Sequence, residues 1–305
     1  MKILSCHGND DLALLYVGQT ADGSLLEFVE SVQPPVPRDK KWVLIVSTLK
    51  GCPVGCLMCD AGGDYSGRLS KAEILDQIDH LILQRFPDRI IPIAKFKIQF
   101  ARMGEPSLND AVLEVLTVLP QRYNAPGLLP CVSTVMPRHR QSFFAKLKAI
   151  KNDLYPGGKF QMQVSLHTTD PERRASLINY PVADFAEISA WGHDFFVSGD
   201  RKIALNFALT DDSPIDAKLL RSHFDPECFL IKLTPLNPTV RIQENQLKTQ
   251  IDPHTGQGAE AIIADLEKAG FQVILSLGEP EEDRIGSNCG QYVNRYKKAS
   301  EARSA

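Results

Sequence analysis

The chain has 305 residues, 43% hydrophobic and 8% aromatic, enough to bury a sizeable core in one large domain or two modest ones. Its formal net charge of −3 argues against strong, non-specific attraction to nucleic acid, which depends on Lys and Arg neutralising phosphates. No segment has the uninterrupted apolar length of a membrane span, and the N-terminus has no secretion-type apolar run. A soluble, cytoplasmic protein without a membrane partner is therefore predicted.

Residues 1–41 are predicted to form a small β-rich N-terminal extension. Its two strand candidates, LALLYVG (12–18) and SLLEFVESV (24–32), are joined by turn residues. The stretch QPPVPRDKK (33–41) contains three prolines and is predicted to be a linker. A core domain over residues 42–305 follows it.

In this core, apolar β-type runs alternate with runs of helical period. Strands are predicted over 42–47, 96–101, 130–135, 161–167, 202–209, 228–236 and 271–276. Helices are predicted over 70–83, 109–119, 138–151, 181–196, 214–224 and 258–270, the first with Ser70 and Glu73 as a capping box. This order predicts an α/β fold with a parallel sheet, either doubly wound or barrel-like. In both cases functional groups collect at the C-terminal ends of the strands.

The run RHRQSFFAKLKAIK, 138–151, is the strongest basic stretch of the chain. Its five Lys and Arg residues accompany an apolar stripe of helical spacing. A solvated helix face is the favoured interpretation, and an RNA contact is the alternative.

Three cysteines lie close together in STLKGCPVGCLMCDAGG, 47–63, directly after the first predicted core strand. Structural zinc sites usually combine two C-x-x-C hooks, whereas this loop is a single C-x3-C-x2-C formed by Cys52, Cys56 and Cys59. The other four cysteines, Cys6, Cys131, Cys228 and Cys289, are isolated in the sequence. Three thiolates suit a [4Fe–4S] cluster that keeps one iron free of protein ligands.

This loop resembles the signature of the radical S-adenosylmethionine (SAM) superfamily. The resemblance implies a partial (β/α)6 barrel of radical SAM type, with SAM chelated to the free iron and cleaved reductively to a 5′-deoxyadenosyl radical. It also implies a reducing partner protein such as a flavodoxin or a ferredoxin. The residue before the third cysteine, usually aromatic in that superfamily, is Met58, whose polarizable thioether can also pack against an adenine.

Four further motifs resemble the RlmN/Cfr-like branch, whose members methylate adenine in ribosomal RNA. They are ARMGEPSLN (101–109), VSTVMP (132–137), VSLHTTDPERRASLINY (164–180) and KLTPLNP (232–238). The residues that they imply as SAM contacts are Gly104, Glu105, Ser133, Ser165, Leu166, His167 and Asn237. A carboxylate at Glu105 suits an ammonium group. His167 is expected to position SAM and not to act in acid–base chemistry.

The C-terminal motif SNCGQYVNRY, 287–296, resembles the A-C-G-Q-L motif of the same branch. The resemblance implies that Cys289 carries the methyl group that is transferred to an sp² carbon of adenine through a covalent adduct. It also implies a glutamate base, for which Glu27 is the candidate and Glu30 the alternative. The cysteine that resolves the adduct in that branch corresponds to Ile45, and Cys6, Cys131 or Cys228 would have to replace it.

The substrate stays open at this point. The chain begins too late to include the helical accessory domain usual in that branch, so an rRNA or tRNA substrate competes with a small molecule or a peptide. A non-catalytic Fe–S or zinc-binding protein is the third hypothesis, and the SAM-contact motifs argue against it. A monomer is expected.

Overall fold

Ten strands form one sheet in the computed structural model, which describes residues 1–287, 292–294 and 296. In chain order the strands are β1 Lys2–Asn9, β2 Ala13–Gln19, β3 Leu25–Ser31, β4 Lys41–Val46, β5 Leu49–Cys52, β6 Gly63–Arg68, β7 Lys95–Phe100, β8 Leu128–Thr134, β9 Gln161–Ser165, β10 Ile203–Ala208, β11 Phe229–Thr234 and β12 Val273–Leu275. The sheet order is β1-β2-β3-β4-β7-β8-β9-β10-β11-β12, and β5 pairs with β6 in a separate hairpin.

Nine α-helices have both ends within residues 1–287. They are α1 Lys71–Leu83, α2 Ala111–Arg122, α3 Gln141–Leu154, α4 Pro171–Leu177, α5 Phe185–Phe195, α6 Ala217–His223, α7 Val240–Glu244, α8 Glu260–Lys268 and α9 Pro280–Ile285. The capping box predicted at the start of α1 is present, because Ser70 and Glu73 each bond the other's backbone N–H. None of these described helices is long and apolar enough to cross a bilayer.

The winding of the parallel strands distinguishes the two architectures that the sequence allows. Strands β4 and β7 to β12 are parallel, and each lies beside the next one along the chain. A doubly wound sheet reverses its strand order in the middle, whereas this order runs in one direction only. The predicted partial barrel of α/β class is therefore confirmed, with the C-terminal strand ends gathered at one mouth.

The N-terminal extension has three strands, one more than predicted. Strands β1, β2 and β3 are antiparallel, and β3 pairs with β4 through partners such as Val29 and Ile45. The extension thus continues the barrel sheet. The additional strand β1, KILSCHGN, alternates exposed and half-buried positions and has few fully apolar ones, so its composition gave little strand signal.

Alternate residues of each strand face opposite sides of the sheet, so Glu27 and Glu30 of β3 cannot share a site. Glu30 faces the helices. Its carboxylate accepts hydrogen bonds from the indole Nε1 of Trp42 at 2.8 Å, from Nε of Arg85 at 2.7 Å and from Nη1 of Arg38 at 2.9 Å. This side chain is 1% exposed and holds β3, β4 and the end of α1 together.

The basic run forms α3 and the turn before it, and its charges are largely neutralised within the fold. Ion pairs join Arg138 to Asp184 and Glu187, Arg140 to Asp110, Lys148 to Asp194, and Lys151 to Asp200. A surface used by RNA would keep its cations available for phosphates. These contacts support the interpretation as a solvated helix face.

Replacing Glu30 should destabilise the protein strongly. In Glu30→Gln, the partly buried guanidinium groups of Arg38 and Arg85 lose their buried counter-charge and keep only the exposed Asp10, which should cost about 3 kcal/mol. The control Asp194→Asn removes the exposed partner of Lys148 and should cost about 1 kcal/mol at most. Chemical unfolding of both variants measures the difference, and equal losses would contradict a structural role for Glu30.

Candidate active site

A cavity of about 320 Å³ opens at the mouth of the barrel, above the C-terminal ends of β7 to β11. Its lining contains nine of the residues that the motifs predict: Cys52, Cys56, Cys59, Gly104, Glu105, Ser133, Ser165, His167 and Asn237. Leu166 is fully buried and lies outside the lining. Residues from six separate stretches of sequence therefore meet at one place.

The cysteine loop is held by the hairpin of β5 and β6. Cys52 ends β5, and Gly51 has a φ of 77°, where an added Cβ would lie 2.5 Å from the carbonyl oxygen of Asp64. Burial and the neighbouring Cys59 and Cys52 raise the pKa of Cys56 well above its usual value. Burial raises the pKa of Cys52 to about 11. Three shielded thiols brought together in this way are the donor set that an iron–sulfur cluster requires.

The segment after β11 clamps the cysteine loop from the opposite side of the mouth. The Asp60 carboxylate accepts hydrogen bonds from the backbone N–H of Val240 at 3.1 Å and of Arg241 at 2.9 Å. The hydroxyl of Thr239 donates to the carbonyl of Met58, and the Asn245 amide donates to that of Leu57. These anchors were not predicted, because hydrogen bonds between segments 180 residues apart leave no local sequence signal.

Glu105 is buried beside the cysteines and is already fixed by protein donors. Its Oε1 accepts from the N–H and hydroxyl of Ser107 and from the hydroxyl of Thr134, and its Oε2 accepts from the N–H of Val135. Burial raises its pKa, although these hydrogen bonds oppose the shift. A carboxylate offers about four acceptor positions. With a single donor among the described residues, Oε2 keeps acceptor capacity on the cavity side.

Gly104 has a φ of 94° and leaves no room for a side chain, because an added Cβ would lie 2.4 Å from Cβ of Leu49. The turn that presents Glu105 to the cavity thus packs directly on the cysteine hairpin. Any other residue at this position would push the two motifs apart. The glycine in this motif is therefore required by the close approach of two backbones.

Ser133 and His167 present polar groups to the same cavity. The hydroxyl of Ser133 is buried and has no hydrogen-bond partner among the described residues, as expected for a group that awaits a ligand. Nδ1 of His167 accepts the N–H of Ala208 at 3.2 Å, which leaves Nε2 to carry the proton. Burial lowers the pKa of His167 to about 4, so the ring is neutral at neutral pH. This charge state supports positioning and not acid–base chemistry.

Deeper in the barrel the lining is polar, which the sequence analysis did not predict. Gln99, Gln163, Asn206, Thr234 and Lys232 occupy alternate positions on successive strands and face the cavity. The signal was available as polar residues at every second position of FKIQF and QMQVS. Apolar runs, which locate the strands, do not by themselves reveal this set of inward-facing polar residues.

Arg102 connects the cavity to the predicted base and to the C-terminal segment. Its guanidinium forms an ion pair with Glu27 at 2.7 Å, and it donates to the carbonyls of Gly286 and Ser287. The second carboxylate oxygen of Glu27 accepts the N–H of Val293 at 2.9 Å. Burial raises the pKa of Glu27, and Arg102 acts in the opposite direction. Glu27 lies behind Arg102 and does not line the part of the cavity formed by described residues.

The predicted methyl carrier, Cys289, lies outside the described residues. Ile45, at the position of the resolving cysteine, is the register partner of Gln99. Cys131 pairs with Gln99 from the next strand and shares its sheet face, but it does not line the cavity. Cys6 is exposed on β1, and Cys228 is buried next to His193.

A singly wound parallel barrel with three cysteines at its mouth is the arrangement that the resemblance to radical SAM enzymes implies. Among solved structures, a radical SAM methyltransferase from Sphaerobacter thermophilus superposes with a TM-score of 0.72 at 20% identity, over 95% of this chain and 80% of that one. Streptococcus suis SuiB bound to S-adenosylmethionine superposes with a TM-score of 0.52 at 11% identity, over 79% of this chain and 51% of that one. No family model matches the chain.

Two curated relatives, each described as "Probable dual-specificity RNA methyltransferase RlmN", are similar over most of the chain. The protein from Trichormus variabilis is 29% identical across 92% of this chain and 73% of its own length. The protein from Desulfitobacterium hafniense is 28% identical across 90% of this chain and 74% of its own length. These matches confirm the resemblance to the RlmN/Cfr-like branch of radical SAM enzymes.

Each of the three clustered cysteines should be required for iron binding. Anaerobically reconstituted protein should hold about four irons, and Cys52→Ala, Cys56→Ala or Cys59→Ala should lose most of them, because two thiolates hold a cubane poorly. Cys6→Ala, at an exposed cysteine on β1, should keep its iron. Iron analysis and absorbance spectra check this, and stoichiometric zinc without iron would contradict it.

Removing either of two polar contacts should weaken SAM binding without loss of the cluster. Glu105→Gln and Asn237→Ala should each lower SAM affinity about tenfold or more, since a hydrogen bond to a charged group contributes roughly 1.5 to 3 kcal/mol. Asn152→Ala, on the exposed face of α3, is the control and should bind normally. Equilibrium binding to reconstituted protein measures this, and unchanged affinity in both variants would refute the two contacts.

Proposed function

We propose that this enzyme transfers a methyl group to an sp² carbon of an RNA adenine, with Cys289 as the methyl carrier. The observation that carries the proposal is the cavity itself. The three thiols and the motif positions implied as SAM contacts line one pocket, with the exception of Leu166. The RNA substrate is inferred from the two curated relatives, which are described as RNA methyltransferases.

A [4Fe–4S] cluster with bound SAM supplies a 5′-deoxyadenosyl radical when a reducing protein such as flavodoxin or ferredoxin provides an electron. Cys52, Cys56 and Cys59 would hold the cluster. Glu105 would accept the SAM ammonium through Oε2, and the orphaned hydroxyl of Ser133 would bond the same ligand. The neutral ring of His167 would donate through Nε2, and Asn237 would contact the adenosine.

The role of Cys289 is supported by where the chain is fixed on either side of it. Two residues before it, the Ser287 carbonyl accepts a hydrogen bond from Arg102 at 2.8 Å, and Arg102 lines the cavity. After it, the N–H of Val293 bonds Glu27, and the Asn294 amide donates to the carbonyl of Asp60 in the cysteine loop. The first attachment is to a residue that lines the cavity, and the second reaches the cysteine loop.

Glu27 remains the proposed base, with a specific geometric requirement. Its raised pKa favours a carboxyl able to take up a proton, but a base must lie within hydrogen-bond reach of its substrate. Because Arg102 stands between Glu27 and the cavity, this ion pair must open, or a relay through solvent must join them. Glu30 is disfavoured, since it faces the helices.

A small-molecule substrate is the second candidate, and one observation favours it. The polar lumen below the SAM-contact level, with Gln163, Asn206 and Lys232, provides hydrogen-bonding positions inside the barrel itself. The non-catalytic hypothesis is disfavoured because a structural metal needs neither this lumen nor an orphaned serine. We also propose a cytoplasmic monomer.

Loss of the Cys289 thiol should separate methyl transfer from SAM cleavage. Cys289→Ala should give no methylated product while reductive formation of 5′-deoxyadenosine continues, because the cluster and the SAM contacts are unchanged. Asn152→Ala, on the exposed face of α3, should keep both activities. Mass spectrometry of nucleosides from treated RNA, together with the mass of the C-terminal peptide, provides the measurement. Full methylation by Cys289→Ala would refute the carrier role.

A further inference from the structure

Three side chains of the kinds that bind transition metals meet at the end of the barrel opposite the cysteine loop. They are His193 in the last turn of α5, Asp225 in the turn after α6, and Cys228 directly before β11. One ligand atom of each lies within 4.8 Å of the ligand atoms of the other two. None of the three lines the active-site cavity, so this group is separate from the site described above.

The turn before β11 fixes the spacing of Asp225 and Cys228. The carbonyl of Asp225 accepts the N–H groups of Cys228 at 3.0 Å and of Phe229 at 2.9 Å. The carbonyl of Cys228 in turn accepts the N–H of Ile203, the first residue of β10, at 2.8 Å. Two of the three side chains are therefore carried by a short, hydrogen-bonded turn that is attached to the barrel sheet.

A glycine brings the third side chain close to this turn. Gly192 leaves no room for a side chain, because an added Cβ would lie 2.2 Å from Cζ of Phe229. Helix α5 therefore packs directly against the start of β11, and the next residue, His193, lies beside Cys228. The ring of His193 also meets that of Phe229 edge-on, with centroids 6.1 Å apart, which limits the orientations of the imidazole.

The distance between sulfur and nitrogen fits a shared metal ion. Nδ1 of His193 lies 3.5 Å from Sγ of Cys228. In a tetrahedral zinc site, a Zn–S distance of about 2.3 Å and a Zn–N distance of about 2.0 to 2.1 Å place these two atoms about 3.5 to 3.6 Å apart. A thiol–imidazole hydrogen bond has a similar length, but it would not require the carboxylate that completes this group.

The carboxylate of Asp225 has an oxygen to offer. Its Oδ1 accepts the N–H of Glu227 at 3.0 Å, the kind of outer contact that orients a ligating carboxylate. Within the described part of the chain, Oδ2 accepts no hydrogen bond and Asp225 forms no ion pair. Burial and then the charges of Asp225 and Glu227 raise the pKa of Cys228, whereas Lys202 acts in the opposite direction. A divalent cation would reverse this repulsion and stabilise the thiolate.

We propose that His193, Asp225 and Cys228 form a zinc site, with Nδ1, one carboxylate oxygen and Sγ as ligands and water in the fourth position. Thiolate, imidazole and carboxylate together suit zinc, and the soft sulfur disfavours magnesium and calcium. Among the described residues this group contains no fourth Cys, His, Asp or Glu, and His193 is exposed, so the fourth position faces solvent. The ion would join α5 to the start of β11, which goes beyond the proposed methyl transfer.

Zinc binding to the reconstituted enzyme, with its iron in place, tests the site. After zinc is added and the excess is removed, the wild type should retain one zinc per chain in addition to about four irons. His193→Gln and Asp225→Asn should each weaken zinc binding about a hundredfold or more, since even an outer-shell partner contributes about ten- to a hundredfold. His254→Gln, at an exposed histidine before α8, is the matched control. Absence of zinc from the wild type, or equal retention by His193→Gln, would overturn the proposal.

X-ray absorption at the zinc edge identifies the ligands independently of the iron. The expected spectrum has one sulfur neighbour at about 2.3 Å and nitrogen or oxygen neighbours at about 2.0 to 2.2 Å. Three sulfur neighbours, with a corresponding loss of iron, would place the zinc in the cysteine loop and refute the new site. Zinc without a sulfur neighbour would refute ligation by Cys228.

Thermal unfolding provides a check on folding. Because His193 is exposed, His193→Gln should melt at the wild-type temperature when zinc is absent. Zinc should raise the melting temperature of the wild type and of His254→Gln, because it binds only the folded site. An equal rise in His193→Gln would contradict the site. None of these measurements involves methyl transfer, so a failure of the zinc site and a failure of the proposed function are distinguishable.

Discussion

The buried ion pair between Glu27 and Arg102 joins the parts of this molecule that must act together. Both side chains are almost fully removed from water, at 0% and 3% exposure, so neither charge is stable without the other. Glu27 belongs to the antiparallel extension, Arg102 to the turn after β7, and their hydrogen bonds reach residues 286, 287 and 293. A single pair of charges therefore fixes the extension and the C-terminal segment against the cavity rim.

The fold was largely accessible from the sequence because its signals are local. All seven predicted core strands lie within two residues of their observed ends, since each is an apolar run bounded by turns, but the hairpin strands β5 and β6 were not predicted. The short helices α4, α7 and α9 were not predicted. Helix α7 has five residues, too few to show a period, and its start is capped by Asp60 from a distant loop. Periodicity could not distinguish a barrel from a doubly wound sheet. The prediction of a barrel came from the resemblance to radical SAM enzymes.

The residues of the candidate site were likewise predictable only where their sequence signal is local. Residues in contiguous motifs, such as Glu105 and His167, were located by sequence, and the structure places them in one cavity. Arg102 lies inside the same motif as Glu105, yet its contacts are with residues far along the chain, so its connecting role had no sequence signature.

The clamp between the cysteine loop and the segment after β11 ties the position of one to that of the other. Asp60, Thr239 and Asn245 join the two segments by hydrogen bonds. A change in the shape of the loop would therefore be transmitted to a stretch about 180 residues further along the chain.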